Sequence, residues 1–121
     1  MTTKTTREIG DQGEDLACDY LVQLGWEILD RNYYSGHSEV DIIAIDETVY
    51  VFVEVKMRAN TKYGHPIEYV TESKVAHVFK AAEAWMREQK ITNSPMRFDV
   101  IGILKGKNEP PKFTHLKDAF R

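Results

Sequence analysis

The sequence predicts one α/β domain in which a central sheet is covered by a helix on each side. Segments 5–25 and 71–90 carry apolar residues at helical spacing. Between them, Glu39–Ile45 and Val49–Lys56 are apolar runs separated only by Asp46-Glu47-Thr48, the pattern of a hairpin. Both faces of both runs are apolar, which suits central strands sheltered on each side. With 121 residues, 42% of them hydrophobic, the chain can fill one core, so residues 1–121 are read as one domain with 1–6 as a flexible tail.

The elements follow in order. Thr5-Thr-Arg-Glu8 forms a capping box, and Ile9, Gly13, Leu16, Ala17, Tyr20, Leu21 and Leu24 then recur at helical spacing up to Gly25, a natural C-terminal stop. Gly10 and Gly13 inside this helix each cost about 1 kcal/mol relative to Ala. Two readings compensate: close approach to the sheet, or room for a ligand beside Glu14. Trp26–Tyr33 reads as a strand with Trp26, Ile28 and Asp30 on one side, followed by the Ser35-Gly36 turn and the hairpin. Met57–Tyr69 reads as a polar loop. Thr71 is an N-cap, Val70 and Val75 a staple, and Val75, Val78, Phe79, Ala82, Trp85 and Met86 an apolar stripe on a helix ending near Lys90. Asn93-Ser94-Pro95 breaks the chain before a strand at Arg97–Leu104, and Phe113–Leu116 suits a short edge strand.

Composition excludes several classes. The only cysteine, Cys18, permits no internal disulfide and no cysteine-based zinc site. No apolar run resembles a signal peptide or a membrane span, so the chain reads as soluble and cytoplasmic. A net charge of −3 argues against a nonspecific nucleic-acid coat, so phosphate binding must be local. His37, His65, His77 and His115 have no metal-ligand spacing and read as surface or loop histidines, and Gly10-Asp-Gln-Gly13 lacks the preceding strand of a dinucleotide fingerprint. Trp85 and Met86 read as core.

Chemistry gathers in the hairpin. A two-residue loop at Glu47-Thr48 sets Asp41 opposite Glu54, with Cβ atoms about 4.5–5.5 Å apart. Period-two alternation adds Glu39 and Lys56 to that face, with Ile43, Ile45 and Phe52 nearer the turn. Carboxylates opposed in central strands repel unless a cation lies between them. A hard divalent ion such as Mg²⁺ or Mn²⁺ suits the pair, and so does a structural salt-bridge network.

Glu39-Val-Asp41 followed by Val53-Glu54-Val55-Lys56 resembles the Asp…Glu-x-Lys core of the PD-(D/E)XK nuclease superfamily, in the arm that includes archaeal Holliday-junction resolvases. With Gly13-Glu14, Ala17, Tyr20-Leu21, Gly25, Arg31-Asn32, Ala44, Phe52, Arg58, Tyr63-Gly64, Lys74 and Arg97-Phe-Asp-Val100, nearly the whole chain resembles the bacterial YraN-like family. Val40-Asp41 stands where the superfamily often has Pro-Asp. The resemblance implies a restriction-endonuclease-like core, a mixed sheet flanked by helices in the order αβββαβ. It also implies Asp41, Glu54 and the Val55 carbonyl as metal ligands, Lys56 as catalytic lysine, Glu14 as auxiliary acid and Lys74 as a basic residue aimed at the site. A lysine in the first turn of a helix opposes the macrodipole, which a nearby anion would relieve; a solvated surface lysine is the other reading.

The expected activity is Mg²⁺- or Mn²⁺-dependent hydrolysis of DNA phosphodiesters, in branched or structured DNA. Arg31, Lys56, Arg58, Lys62 and Lys74 are expected to form a basic rim around the acidic centre, with a homodimer or protein partner doubling it. The rivals are a nucleic-acid-binding module with a vestigial site and an interaction protein acting within a larger machine.

Overall fold

A computed structural model describes residues 6–69 and 71–119, with side chains from residue 12 onward, Tyr69 excepted. The Thr5–Glu8 box, the Val70–Val75 staple and the tail before Thr6 fall outside them. Helix α1 (Thr6–Gln23) stops as its glycine predicts: Gly25 adopts φ 91°, its N–H donates to Val22 (2.9 Å), and the Trp26 N–H donates to Leu21 (3.1 Å). These two bonds satisfy carbonyls that the last turn would leave orphaned. The chain then runs through β1 (Glu27–Ser35), β2 (Ser38–Asp46), β3 (Val49–Arg58), a short 3-10 turn (Pro66–Tyr69), α2 (Glu72–Glu88), β4 (Met96–Leu104) and β5 (Lys112–Leu116).

The strands form one sheet in sequence order, antiparallel except that β3 and β4 are parallel. A parallel neighbour requires a crossover, and α2 supplies it. Helix α1 packs Ala17 and Leu21 on one face with Ile42, Ala44, Val51, Val53, Ile101 and Ile103; α2 packs Val78, Ala81, Ala82 and Trp85 on the other with Ile43, Phe52 and Phe98. The α/β class is therefore as the sequence predicts, and β5 is the short edge strand expected at Phe113–Leu116, a fifth strand beyond the αβββαβ order.

Four local expectations change. Asp30 does not share a face with Ile28: the β1–β2 register shifts between them, so Ile28 packs toward α1 while Asp30 Oδ2 accepts from Trp85 Nε1 on α2 at 3.3 Å. A bulge at Leu29 does this by adding one residue to the strand. The Met57–Tyr69 segment is not all loop, since β3 continues to Arg58 and the 3-10 turn closes it. Helix α2 ends at Glu88 rather than Lys90. His115 is no surface histidine: its side chain is 6% exposed, with Nε2 2.8 Å from Asp99 Oδ2 and Nδ1 3.1 Å from Tyr20 Oη.

Gly102 pairs with Lys56 in the β3–β4 register and passes beneath the 3-10 turn, where an added Cβ would lie 2.7 Å from Ile67 Cγ2 and 3.3 Å from His65 Cε1. Gly102→Ala is expected to lower unfolding free energy by about 1–3 kcal/mol through this overpacking, read as a shift in the urea midpoint. An unchanged midpoint would mean that the turn yields freely.

Candidate metal centre

The β2–β3 ladder pairs Asp46 with Val49 and runs in register to Ile42 with Val53, so Asp41 and Glu54 come next. There the ladder ends. Asp41 Oδ2 accepts the Val55 N–H at 2.8 Å, a side chain standing where a β2 carbonyl would otherwise be. Period-two alternation also breaks here: Val40 and Ile43, three residues apart, pack on the α2 face, while Ile42 packs on the α1 face. Asn32, which faces Asp41 between the Arg31–Ile42 and Tyr33–Val40 pairs, has φ 50°. The irregularity lets one carboxylate reach groups from both sides of the sheet, so the expectation that Glu39, Asp41, Glu54 and Lys56 simply share one face needs this amendment.

From the α2 side come Glu54 and Lys74. Tyr50 and Phe52 point to that face, and alternation carries Glu54 there too, 2% exposed. Thr71 caps α2 by accepting the Lys74 N–H at 3.3 Å, which places Lys74 in the first turn with its Nζ 3.2 Å from Glu54 Oε1. Glu54 Oε2 is buried and has no hydrogen-bond partner among the described residues. Ser38 Oγ lies 3.3 Å from Nδ1 of His77, three residues after Lys74 on α2; that spacing was the available sign that His77 approaches this strand.

From the α1 side comes Glu14. The close-approach reading of Gly13 holds, because a Cβ there would sit 3.2 Å from the Cβ of Met57 on β3. The helix thus lies tight against the sheet and brings Glu14, 8% exposed, over the gap. Glu14, Glu39 and Asp41 each offer an oxygen within 4.8 Å of the other two. Glu14 Oε1 has no hydrogen-bond partner among the described residues, with Arg31 Nη2 3.9 Å away and bonded instead to Asp15 at 2.8 Å.

Burial, then the neighbouring Asp41 charge, pushes the Glu54 carboxyl up to about 8 despite Lys74. The same two causes lift Glu14 to about 7 against Arg31, and they raise Glu39. Burial alone would lower the Lys74 pKa, but Glu54, Asp41 and Glu39 hold its proton and raise it. One ammonium therefore does not offset this cluster of acids.

Asp99 provides an internal contrast. It is fully buried, and burial would raise its pKa, yet His115, Arg97 and the Asp118 N–H hold it below the usual range. Arg97 binds it at 3.0 and 3.3 Å, and the Asp118 N–H donates at 2.9 Å. This network was missed in the sequence; Arg97 and Asp99, two apart on a strand, were its one local sign. It shows what a structural carboxylate looks like in this fold, and Glu54 and Glu14 do not look like that.

Of the remaining expected site residues, Lys56 is half-buried on β3 and forms no ion pair among the described residues, and Val55 packs toward α1. Arg58 is exposed and donates to the Met57 carbonyl at 3.0 Å; Lys62 is exposed with Nζ 5.5 Å from the Tyr63 ring centre. Arg31 faces the α1 acids rather than an open rim.

The mixed sheet and flanking helices are consistent with a restriction-endonuclease-like core, with its acidic cluster where two central strands part. The chain belongs to the Uncharacterised protein family UPF0102, whose model matches residues 13–103. It is 46% identical over 112 residues to a UPF0102 protein of Rhodococcus opacus (strain B4), covering 93% of this chain and 95% of the relative. A UPF0102 protein of Caldicellulosiruptor saccharolyticus is 42% identical over 115 residues, with 94% and 98% covered. One from Clostridium botulinum (strain Eklund 17B / Type B) is 39% identical over 119 residues, with 98% of each covered.

A carboxyl whose folded pKa lies above its unfolded value stabilises the fold while protonated, and that contribution fades as pH rises through the folded pKa. Without metal, stability should thus fall between about pH 5 and pH 8 as Glu14 and Glu54 ionise. Thermal melts across that range with chelator present measure this, and Glu54→Gln should flatten the decline. A profile that rises with pH would favour a salt-bridged cluster.

Proposed function

We propose that this protein is a metal-dependent endonuclease-like hydrolase acting on phosphodiester bonds in DNA, branched or otherwise structured. The observation that carries the reading is Glu54: a carboxylate 2% exposed, with one oxygen that has no partner among the described residues, beside Asp41 and ahead of Lys56, which forms no ion pair among them. Buried acids normally have hydrogen bonds, salt bridges or a metal. The oxygen donors of Asp41 and Glu54, with the Val55 carbonyl adjoining, suit Mg²⁺ or Mn²⁺, and Glu14 and Glu39 extend the set around Asp41.

When bound, the ion would polarise the scissile phosphate and lower the pKa of a coordinated water. Asp41, held through Oδ2 by the Val55 N–H, brings a carboxylate oxygen within 4.8 Å of oxygens of Glu14 and Glu39. Lys56, on the Glu54 face by alternation, positions the attacking water and offsets the negative charge that builds on the phosphorus oxygens. Water oxygen bonds to phosphorus as one bridging P–O bond breaks; the water gives up a proton to solvent and the departing sugar oxygen takes one up, leaving a phosphomonoester and a hydroxyl. Arg58, exposed at the end of β3, and Lys62, exposed in the segment that follows, meet the flanking phosphates. With Arg31 and Lys74 engaged by acids, fewer cations reach phosphate than the sequence suggests, and an acidic chain of net charge −3 gains affinity most readily as a dimer or beside a partner.

A second reading is a nucleic-acid-binding or interaction module that no longer cleaves, favoured by Lys74 filling the place of a cation beside Glu54. Cleavage of junction and linear DNA with Mn²⁺ separates the two. The nuclease reading expects metal-dependent products, none from Asp41→Asn, and a loss of about 10²–10³ in rate from Lys56→Met. The log of DNA affinity, measured in Ca²⁺, should fall with log salt at about −0.9 per neutralised phosphate, or roughly −2 to −4 in all. Binding without cleavage under every metal would favour the second reading.

A further inference from the structure

The Lys74 ammonium is 3.2 Å from Glu54 Oε1, and its proton is held by Asp41 and Glu39 as well. It therefore stands among the same carboxylates to which the proposed metal centre is assigned. The arrangement is built by the chain: the Thr71 cap fixes the start of α2, and Lys74 opens the helix where a positive charge is least favoured. What offsets that placement is the buried acid in front of it. The Lys74 side chain is 34% exposed, whereas that of Glu54 is 2% exposed, so of the two it is the lysine that borders solvent. A lysine stem is flexible enough to swing its head outward while its backbone stays capped.

We infer that Lys74 is a tethered counter-cation, which occupies the carboxylate centre in the metal-free protein, competes with the divalent ion for Glu54, and turns outward to bind a DNA phosphate once the ion is in place. The inference rests on the metal-dependent reading above and adds its regulation. A dication and an ammonium repel at such short range, and of the two only the ammonium is on a flexible stem that can carry it away. The released ammonium lands at the N-terminal end of α2, where the backbone N–H groups also favour an anion. Metal binding and phosphate binding are coupled through one side chain, and the coupling must be reciprocal: DNA that holds Lys74 outward tightens metal binding.

Mn²⁺ titration by calorimetry of wild type, Lys74→Met and Asp41→Asn tests this without reference to cleavage. Removal of the competitor should tighten Mn²⁺ binding by at least about fivefold, whereas Lys80→Met, which removes an exposed charge further along α2, should change it by less than about twofold. In parallel, acetylation of the wild-type lysines with a limiting acylating reagent, read by peptide mass spectrometry, should show Lys74 becoming several-fold more reactive when Mn²⁺ is added. If Lys74→Met does not fold, Lys74→Gln and the wild-type labelling decide. Mn²⁺ binding that Asp41→Asn abolishes but that Lys74→Met leaves unchanged or weakens, with Lys74 labelling constant, overturns the inference and leaves the metal centre standing. Absence of any Mn²⁺ binding that depends on Asp41 overturns both.

Discussion

Asp41 accepts the Val55 N–H at 2.8 Å at the point where β2 and β3 stop pairing, and much of the molecule is arranged around that substitution of a side chain for a strand. A backbone N–H in the middle of a sheet cannot be left unpaired, so something must take the place of the missing carbonyl. A carboxylate does this well, but it brings a charge into a region that α1 and α2 have closed to water. Glu14, Glu39 and Glu54 then add acid to the same place. Gly13 lets α1 come close, Asn32 takes up the irregularity on β1, and Thr71 presents Lys74.

The two buried acidic clusters of this fold are handled in opposite ways. Around Asp99, the donors Arg97, His115 and the Asp118 N–H converge until ionisation is favoured even in the interior. They also tie together α1, β4, β5 and the turn after β5, so the bonds serve packing as much as charge. Around Glu54 and Glu14, burial prevails and ionisation is resisted. A fold that can fully satisfy one buried acid leaves oxygens of two others without partners among the described residues. Such an arrangement costs stability, and a site that takes a cation supplies a physical reason for its presence.

Legibility followed the range of the forces involved. The hairpin register could be read because a tight turn sets pairing for the whole ladder, and the Thr71 cap because its hydrogen bond closes within three residues. Alternation on β3 was sound, with Val51, Val53, Val55 and Met57 packing toward α1 and Phe52 toward α2. What could not be read were the places where the backbone departs from its period. The bulge at Leu29 turns Asp30 toward Trp85, and the break at Asp41 brings Glu14 into the same cluster as Glu39; neither has a glycine or proline to mark it. His115 was misjudged because its partners, Tyr20 and Asp99, lie far away in sequence and meet only when β5 docks on β4.

The irregularities of β1 have a further consequence at the outer edge of the sheet. An edge strand offers a row of unpaired N–H and C=O groups on which another chain can add a strand, and long, flat, apolar edges therefore invite aggregation. Strand β1 is such an edge, nine residues long and beside β2 alone. Its bulge at Leu29 and the φ 50° residue Asn32, only three positions apart, spoil the repeat a second strand would need, and the exposed Glu27 and Arg31 add charge along the strand. The distortion that accommodates the acidic centre on one side of β1 thus keeps its other side from serving as a template.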